Sequence, residues 1–381
     1  MSDLGAPTIN IAFKEKGGTF IARGNRGIVL LSVKDSVVIP MKNPVVITSA
    51  GDIPAAFSAA TKEQIKLSLL GYQVAPLKVL VYGMGVSEST DLDEAYTNAM
   101  KAWENIKFDY LAIPTVSTDG KATEVASWIK TMRTKKHPKL VKAVLPNVDA
   151  DFEGVINFAT ERCDYAETVT DKDGKTSRVI TEYTCEQYCG RIAGLLAGTP
   201  LNISATYAPL PELDDCSRVE DEDEAINKGK LVLIWDGDKV KVSRAVNSFV
   251  TTVEGKGDSY KKIKILDIMD MMATDIKMTA QDNYLGKYAN TYDNKRILIS
   301  AIREYLESLK RDNLIDSNYS IDFDIERLRS YHVSTGKYTK EEIAAMDDLT
   351  VKKLNTGSKV FLKAECYVLD AMEDIELPIA I

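Results

Sequence analysis

Amphipathic helices alternate with short, mainly apolar strands across the middle of the chain. In the helices, apolar residues recur every three or four positions, whereas each strand is a compact run of four or five residues. The pattern predicts, in order, a helix over 91–107, a strand over 110–113, a helix over 121–134, a strand over 141–145, a helix from about residue 152 and a helix over 184–197. This order is typical of a three-layer α/β domain.

Shorter β-rich pieces precede this region, and longer helices follow it. Asp236-Gly237-Asp238 separates two short apolar runs, which predicts a β-hairpin. Apolar stripes at helical spacing predict two long helices over 261–282 and 295–311. We therefore predict a mixed α/β (α+β), multi-domain fold. Its predicted parts are an N-terminal arm at 1–25, a small β-rich domain at 26–87, a central α/β domain at 88–215, a helix-plus-sheet C-terminal domain at 216–358 and terminal strands at 359–381.

Composition restricts the class of function. The 381 residues are 45% apolar and 27% charged, which is ordinary for a folded, soluble chain. A net charge of −8 argues against binding of nucleic acid through the whole surface, because such binding needs clustered Lys and Arg. Residues 212–224 carry eight acidic residues and one arginine, so the remainder of the chain is nearly neutral. We interpret this acidic segment as a solvated loop.

Residue counts exclude further kinds of site. His137 and His332 are the only histidines, which excludes a metal site built from several histidines. Five cysteines without a secretory signal predict reduced thiols in a cytosolic protein. No run approaches the roughly 18 apolar residues that a membrane span needs. We predict no cofactor, no metal and no membrane insertion.

Three short matches to catalytic or binding motifs are incomplete. Gly174-Lys175-Thr176 has the end of a phosphate loop, but Val169 stands where its first glycine is required. The S-x-x-K spacing at 127–130 lies within a predicted helix and lacks its companion motifs. The cysteines at 185 and 189 lack the second pair of a zinc site, and buried thiols explain them better. We predict that the chain is not an enzyme; an α/β enzyme of unknown reaction is the alternative.

Both ends of the chain carry predicted strands with one apolar face. An edge strand of this kind invites pairing with another chain. The alternative is that the two ends pair within their own domain. The apolar positions are Ile9, Ile11 and Phe13 in the first strand, Val360, Leu362, Ala364, Cys366 and Val368 in the next-to-last, and Ile375, Leu377, Ile379 and Ile381 in the last.

Four stretches spread over nearly the whole chain form a recognisable pattern. They are Gly5-Ala-Pro-Thr-Ile-Asn-Ile-Ala-Phe13, Asn105-Ile-Lys-Phe-Asp-Tyr-Leu-Ala-Ile-Pro114, Ile263-Lys-Ile-Leu-Asp-Ile-Met-Asp-Met-Met-Ala-Thr-Asp-Ile276 with Tyr284-Leu-Gly-Lys-Tyr-Ala-Asn290, and the ending 360–381. In this order the chain resembles the contractile tail sheath proteins of phages and phage-tail-like bacteriocins. The resemblance is greatest to the compact sheaths of phages and prophages from Gram-positive bacteria.

The resemblance implies a structural subunit that polymerises around an inner tail tube and contracts to drive the tube through a cell envelope. It also implies that the terminal arms join sheets of neighbouring copies. The implied positions are Ile9, Ile11, Phe13, Ile375, Leu377, Ile379 and Ile381 in the arms, Val360, Leu362, Ala364 and Val368 in an acceptor strand, and Gly17, Gly18 and Gly357 at hinges.

The resemblance further implies a set of partners and a location. The partners are other copies of the chain, the inner tail tube protein, and baseplate and tail terminator proteins, without direct contact to nucleic acid. The location is a virion tail or tail-like particle assembled in the host bacterial cytoplasm. A non-contractile, strand-swapped scaffold is a further alternative. The positions implied for tube contact are Lys295, Arg296, Arg303, Lys310 and Arg311.

Overall fold

A computed structural model describes residues 21–38, 43–86, 91–170 and 176–380. Within these ranges the strands are β1 (Ile28–Val33), β2 (Val45–Ile47), β3 (Lys78–Gly83), β4 (Tyr110–Ala112), β5 (Lys142–Pro146), β6 (Val155–Phe158), β7 (Arg162–Thr170), β8 (Thr176–Thr184), β9 (Leu213–Cys216), β10 (Lys230–Leu231), β11 (Leu233–Trp235), β12 (Val240–Val242), β13 (Ser320–Phe323) and β14 (Leu362–Glu365). The helices are α1 (Ala59–Leu69), α2 (Leu92–Trp103), α3 (Ala122–Thr134), α4 (Cys185–Ala197), α5 (Glu222–Asn227), α6 (Ile263–Asn283), α7 (Tyr292–Arg311), α8 (Ile325–Ser334), α9 (Lys340–Ala345) and α10 (Asp348–Lys353).

Several predicted positions lie outside the described residues. These are the whole N-terminal strand with its hinge and the last residue of the chain, namely Ile9, Ile11, Phe13, Gly17, Gly18 and Ile381.

The largest described sheet has the strand order β10-β6-β5-β4-β1-β3-β2. Its neighbouring strands are parallel, except that β2 and β3 are antiparallel. The interior strand β1 has the sequence IVLLSV and is buried along its whole length. Such a continuous apolar run is typical of a parallel strand that is covered on both faces.

The two faces of this sheet are packed by different helices. Val29 and Leu31 of β1 belong to the core that α1 and α4 complete. Ile28 and Leu30 face the opposite way, into the core that α2 and α3 complete. Successive side chains of a strand point to opposite faces, so β1 contributes to both cores. The predicted three-layer α/β arrangement and the mixed fold class are confirmed.

The structure divides the chain differently from the predicted boundaries. β1, β2 and β3 from segment 26–87 belong to the same sheet as β4 and β5. β1 pairs with β3 on one edge and with β4 on the other, so it can be buried only inside this larger sheet. One compact unit, the sheet unit, comprises Gly24–Thr274 and Val368–Ile381. The other, the C-terminal unit, comprises Asp275–Tyr367 and, among the described residues before Gly24, residues 21–23.

Two local predictions were wrong. The segment after residue 152 forms the strand β6 rather than a helix, and all four of its residues are buried. A short apolar run fits either structure, and parallel pairing with β5 and β10 selects the strand. The acidic segment 212–224 is not simply a solvated loop. It contains β9, and the Glu212 carboxylate accepts a hydrogen bond from the buried Arg191 Nε at 2.5 Å.

The predicted hairpin and both predicted long helices are present. β11 and β12 pair antiparallel around Asp236-Gly237-Asp238. In the C-terminal unit, α7 buries the side chains of Ile302, Tyr305 and Leu309 at helical spacing. Tyr305 also donates a hydrogen bond to Asp275 Oδ2 at 2.8 Å. None of the described helices combines the length and the apolar character that crossing a bilayer requires.

Candidate functional site in the C-terminal segment

The final segment of the chain exposes an apolar stripe. After β14, residues 369–380 form no strand or helix. Ile375, Leu377 and Ile379 are 81%, 74% and 76% exposed. Their spacing of two places all three side chains on one face whenever the segment is extended. The predicted terminal strand therefore has no partner among the described residues of its own chain, and its apolar face is uncovered.

The predicted acceptor strand is shorter than expected. Leu362 and Ala364 lie in β14, which pairs antiparallel with β13 through Phe323 and Ile321. Val360 precedes the strand and is 43% exposed, and Val368 follows it. In the described part of the chain, β13 is the only strand that pairs with β14. One edge of β14 is thus open to a further strand.

The joint around Gly357, expected to be a hinge, is held by hydrogen bonds. Asn290 Nδ2 donates to the carbonyl oxygens of Gly357 at 2.6 Å and Lys359 at 2.9 Å. Thr356 is fully buried, and its hydroxyl donates to Lys359 O at 2.5 Å. Gly357 has a φ of +64°, a left-handed conformation that glycine adopts without strain. This φ value explains why glycine stands at the turn, and it does not require the turn to be flexible. In this conformation the segment is a packed turn of the C-terminal unit.

The predicted basic face of α7 is only partly on the surface. Lys295 is 5% exposed, and its ammonium donates to Thr356 Oγ1 at 3.2 Å. Burial lowers the pKa of Lys295. Lys295 therefore cannot contact a tube from this conformation, because the ammonium group faces the interior. Arg296, Arg303 and Arg311 are exposed, and Lys310 forms a hydrogen bond of 3.1 Å with Glu307.

A buried charged network, which the sequence analysis missed, fixes the start of α6 in the sheet unit. Lys142 Nζ lies 3.0 Å from Asp267 Oδ1 and 2.9 Å from Asp270 Oδ2. Arg133 donates to both oxygens of Asp270, at 2.8 and 2.9 Å. Arg26 donates to Asp267 at 2.9 Å. The sequence did carry a sign of this network, because charged residues are seldom buried unless they are paired. Lys142 lies inside an apolar strand, and Asp267 and Asp270 lie three residues apart on a largely apolar helix.

Compensation keeps the buried Asp267 ionised. Burial alone would raise the pKa of Asp267, but the positive charges of Lys142 and Arg26 and a hydrogen bond from Tyr110 hold it below its ordinary value. Tyr110 donates to this carboxylate at 2.7 Å. Buried carboxylates of this kind are found where partners replace the lost water.

Gly174 and Lys175 of the incomplete phosphate loop lie outside the described residues, and the other two incomplete motifs occupy ordinary structural positions. Ser127 lies on α3 and its hydroxyl donates to Thr123 O at 2.9 Å, one turn earlier. Cys185 and Cys189 are buried on α4, and burial raises the pKa of Cys189. No group of three or more His, Cys, Asp or Glu in the described ranges is arranged to hold a metal ion.

Comparison with known proteins identifies the family from sequence. The family model described as "Phage tail sheath protein central domain" matches residues 93–248, and "Phage tail sheath C-terminal domain" matches residues 255–381. The chain is 34% identical over 380 residues to the tail sheath protein of Clostridium phage phiCD119, covering 98% of each chain. It is 30% identical over 202 residues to protein XkdK of the phage-like element PBSX of Bacillus subtilis, covering 51% of this chain and 40% of that protein.

Solved structures show the same fold at lower sequence identity. The sheath tail protein of Desulfitobacterium hafniense matches with a TM-score of 0.63 and 18% identity, over 83% of this chain and 94% of that one. A sheath complex of an extracellular contractile injection system, in its contracted state, matches with a TM-score of 0.62 and 11% identity, over 100% and 98%. Since the phage relative is 34% identical along nearly its whole length, the chain belongs to the phage tail sheath family.

Proposed function

We propose that this chain polymerises around an inner tail tube as a contractile sheath, and that contraction drives the tube through a cell envelope. The observation that carries the proposal is the uncovered stripe of Ile375, Leu377 and Ile379 on a terminal segment that forms no strand of its own. A phage tail sheath subunit assembles with copies of itself, so a second copy is the natural partner of this stripe.

The contact we propose is strand addition at the open edge of β14. An extended segment 375–381 from one copy would supply backbone hydrogen bonds to that edge in its neighbour. Burying a large apolar side chain contributes about 1.5–3 kcal/mol, so covering the three exposed residues gives the contact a substantial apolar part. Each backbone hydrogen bond contributes about 1 kcal/mol net and does not depend on the orientation of the two bodies.

The N-terminal strand is proposed as the second element of this contact. Ile9, Ile11 and Phe13 would form its apolar face, and Gly17 and Gly18 would provide the flexible joint behind it. Strands donated from both ends would link each copy to more than one neighbour, as a closed cylinder requires. The bodies could then rotate during contraction while the shared strands stay paired, without consumption of nucleotide at that step.

Further partners follow from the same proposal. Arg296, Arg303, Lys310 and Arg311 are candidates for contact with the inner tail tube, and Lys295 is removed from this group because it is buried. The ends of the cylinder would meet baseplate and tail terminator proteins. The assembly would form in the host bacterial cytoplasm. One structurally similar chain is a sheath complex in a contracted state, which supports the contractile form of the proposal over a static scaffold.

Two truncations test the proposal. Chains lacking residues 1–13 or 374–381 should fold and remain soluble, but should not form cylinders in the electron microscope under conditions in which the full chain does. Circular dichroism and thermal unfolding establish that the truncated bodies are intact. Cylinders of normal diameter from either truncation would overturn the shared-strand contact. Full-length cylinders that never change diameter would instead favour the non-contractile scaffold.

A further inference from the structure

The Glu373 carboxylate is buried, although it lies only two residues before the exposed stripe. Its side chain is 5% exposed. Oε1 accepts hydrogen bonds from the hydroxyls of Ser204 at 2.9 Å and Thr206 at 2.6 Å. Oε2 accepts from Lys262 Nζ at 2.9 Å. Three donors from two separate segments of the sheet unit thus converge on one side chain of the terminal segment.

The residues on either side of Glu373 are attached as well. Lys264 Nζ donates to the carbonyl oxygen of Leu369 at 2.8 Å. Lys262 also forms an ion pair of 2.5 Å with Asp370. Arg244 pairs with Asp374. The stretch 369–374 is therefore bonded to the sheet unit at four of its six positions, whereas Ile375 is 81% exposed.

The protonation state of Glu373 fits a permanent attachment. Burial alone would raise its pKa, but hydrogen bonds from Thr206, Lys262 and Ser204 outweigh burial and hold the pKa below the ordinary value for glutamate. The carboxylate is consequently ionised at neutral pH and attracts Lys262 at close range. Charge-assisted hydrogen bonds of this kind are roughly twice as strong as neutral ones.

We propose that Glu373 is a latch that fixes the root of the C-terminal arm, so that residues 368–373 stay with the body and only residues 374–381 are donated to a neighbour. The Asp374 side chain is 75% exposed, so its surface ion pair with Arg244 is weak and can open when the arm is donated. This inference rests on the proposed function. It places the pivot of the arm at Asp374 rather than at Gly357, whose turn is held by Asn290.

The latch limits the reach of the arm. An extended chain spans at most about 3.3–3.6 Å per residue, so the eight residues after Glu373 reach about 26–29 Å. A pivot at Gly357 would free 24 residues and a reach of about 80 Å. The latch therefore requires the acceptor edge of the neighbour to lie close to the donor's Glu373.

Proteolysis of the unassembled chain tests the latch directly. Subtilisin cleaves exposed, flexible segments, and mass spectrometry locates the cuts. In the unchanged chain, cuts should fall after Glu373. In Glu373→Gln, cuts between residues 368 and 373 should become about 10-fold faster, because the charge-assisted bonds are lost. Thr206→Val removes one donor from the body side and should move the cuts in the same direction.

Glu376→Gln is the matched control, since Glu376 is an exposed carboxylate in the donated segment. It should leave the cleavage pattern unchanged. Equal cleavage in Glu373→Gln and Glu376→Gln would overturn the latch even if the chain polymerises normally. If Glu373→Gln loosens the root but the full chain forms no cylinders, the latch stands and the proposed function fails.

Discussion

At the scale of single residues, the structure contains charges that are stable only because their partners are also buried. The side chain of Lys142 is 3% exposed and lies between Asp267 and Asp270, and the side chain of Arg133 is 5% exposed against Asp270. Removing one member of such a set leaves the others charged and without solvent. The network therefore acts as a unit, and it attaches α6 to β5 and α3 within the sheet unit.

Asp270→Asn should destabilise the protein by about 3–5 kcal/mol, because Arg133 and Lys142 would lose a shared counter-ion in the interior. Urea-induced unfolding, followed by circular dichroism, measures the loss. Glu224→Gln is the control, since Glu224 pairs with Lys228 on the surface and its loss should change stability little. A similar midpoint for both variants would show that the network does not stabilise the fold.

His332 should make the C-terminal unit sensitive to acid. It is 1% exposed, and neither ring nitrogen has a hydrogen-bond partner among the described residues. Burial, together with the charges of Lys337 and Lys295, lowers its pKa below the ordinary value of about 6.5. As the pH falls, His332 is therefore protonated in the unfolded chain at a higher pH than in the folded chain. Its contribution to the free energy of unfolding is fully present above about pH 6.5 and is lost as the pH falls toward the folded-state pKa.

His332→Phe should remove this part of the pH dependence, because phenylalanine keeps an aromatic ring beside Tyr331 and Tyr338 and does not titrate. Thermal unfolding between pH 5 and pH 7.5 measures the effect. The other histidine, His137, is exposed, and His137→Gln is the control for the loss of a histidine at the surface. An unaltered pH profile in His332→Phe would contradict the assignment.

At the scale of elements, α4 packs against α1 through glycines. A Cβ at Gly194 would lie 2.0 Å from the carbonyl oxygen of Ser68, and one at Gly190 would lie 3.2 Å from Gln64 Oε1. The two backbones approach this closely only because these positions lack side chains. The close approach brings both helices onto the same face of the sheet.

Gly194→Ala should destabilise the sheet unit by about 3 kcal/mol, since the backbone of α1 must move to admit the methyl group. The shift in the denaturant midpoint checks this value. Gly257→Ala is the control, because no atom of the described residues lies within 4 Å of a Cβ at that position and its φ of −89° is ordinary for any residue. A neutral Gly194→Ala would mean that the helices can separate without loss of packing.

At the scale of the whole molecule, the chain ends outside the cores that hold it together. It leaves the C-terminal unit after Tyr367 and adds its last residues to the sheet unit. Those residues are bonded through polar groups up to Asp374, and the exposed stripe of Ile375, Leu377 and Ile379 comes after that point. The isolated chain therefore keeps its apolar terminal surface available for assembly.

Leu377→Lys should prevent polymerisation without changing thermal stability, because Leu377 is 74% exposed in the single chain and would be covered only by a neighbour. Electron microscopy and sedimentation measure assembly. Glu376→Lys introduces the same residue on the opposite face and should polymerise normally. Loss of assembly in both variants would show that charge, rather than an apolar strand face, decides the outcome.

Local periodicity was sufficient to predict much of the architecture. Helical spacing identified α2, α3, α4, α6 and α7, and apolar runs identified β4 and β5, because these patterns depend on neighbours along the chain. The apolar stripe at 375–379 was also predictable for that reason. Periodicity could not decide whether residues 155–158 form a helix or a strand, because a run of four residues with three apolar side chains fits both.

Sequence alone thus determined the alternating α/β layers and the amphipathic chain end, since both follow from side-chain order. Only the tertiary structure decided which polar groups meet across long separations. It buried Lys295 against Thr356, held the turn at Gly357 with Asn290, and brought Lys262 and Thr206 to Glu373. Such contacts depend on how segments that are far apart in the sequence pack against each other, and the local pattern of residues does not specify that packing.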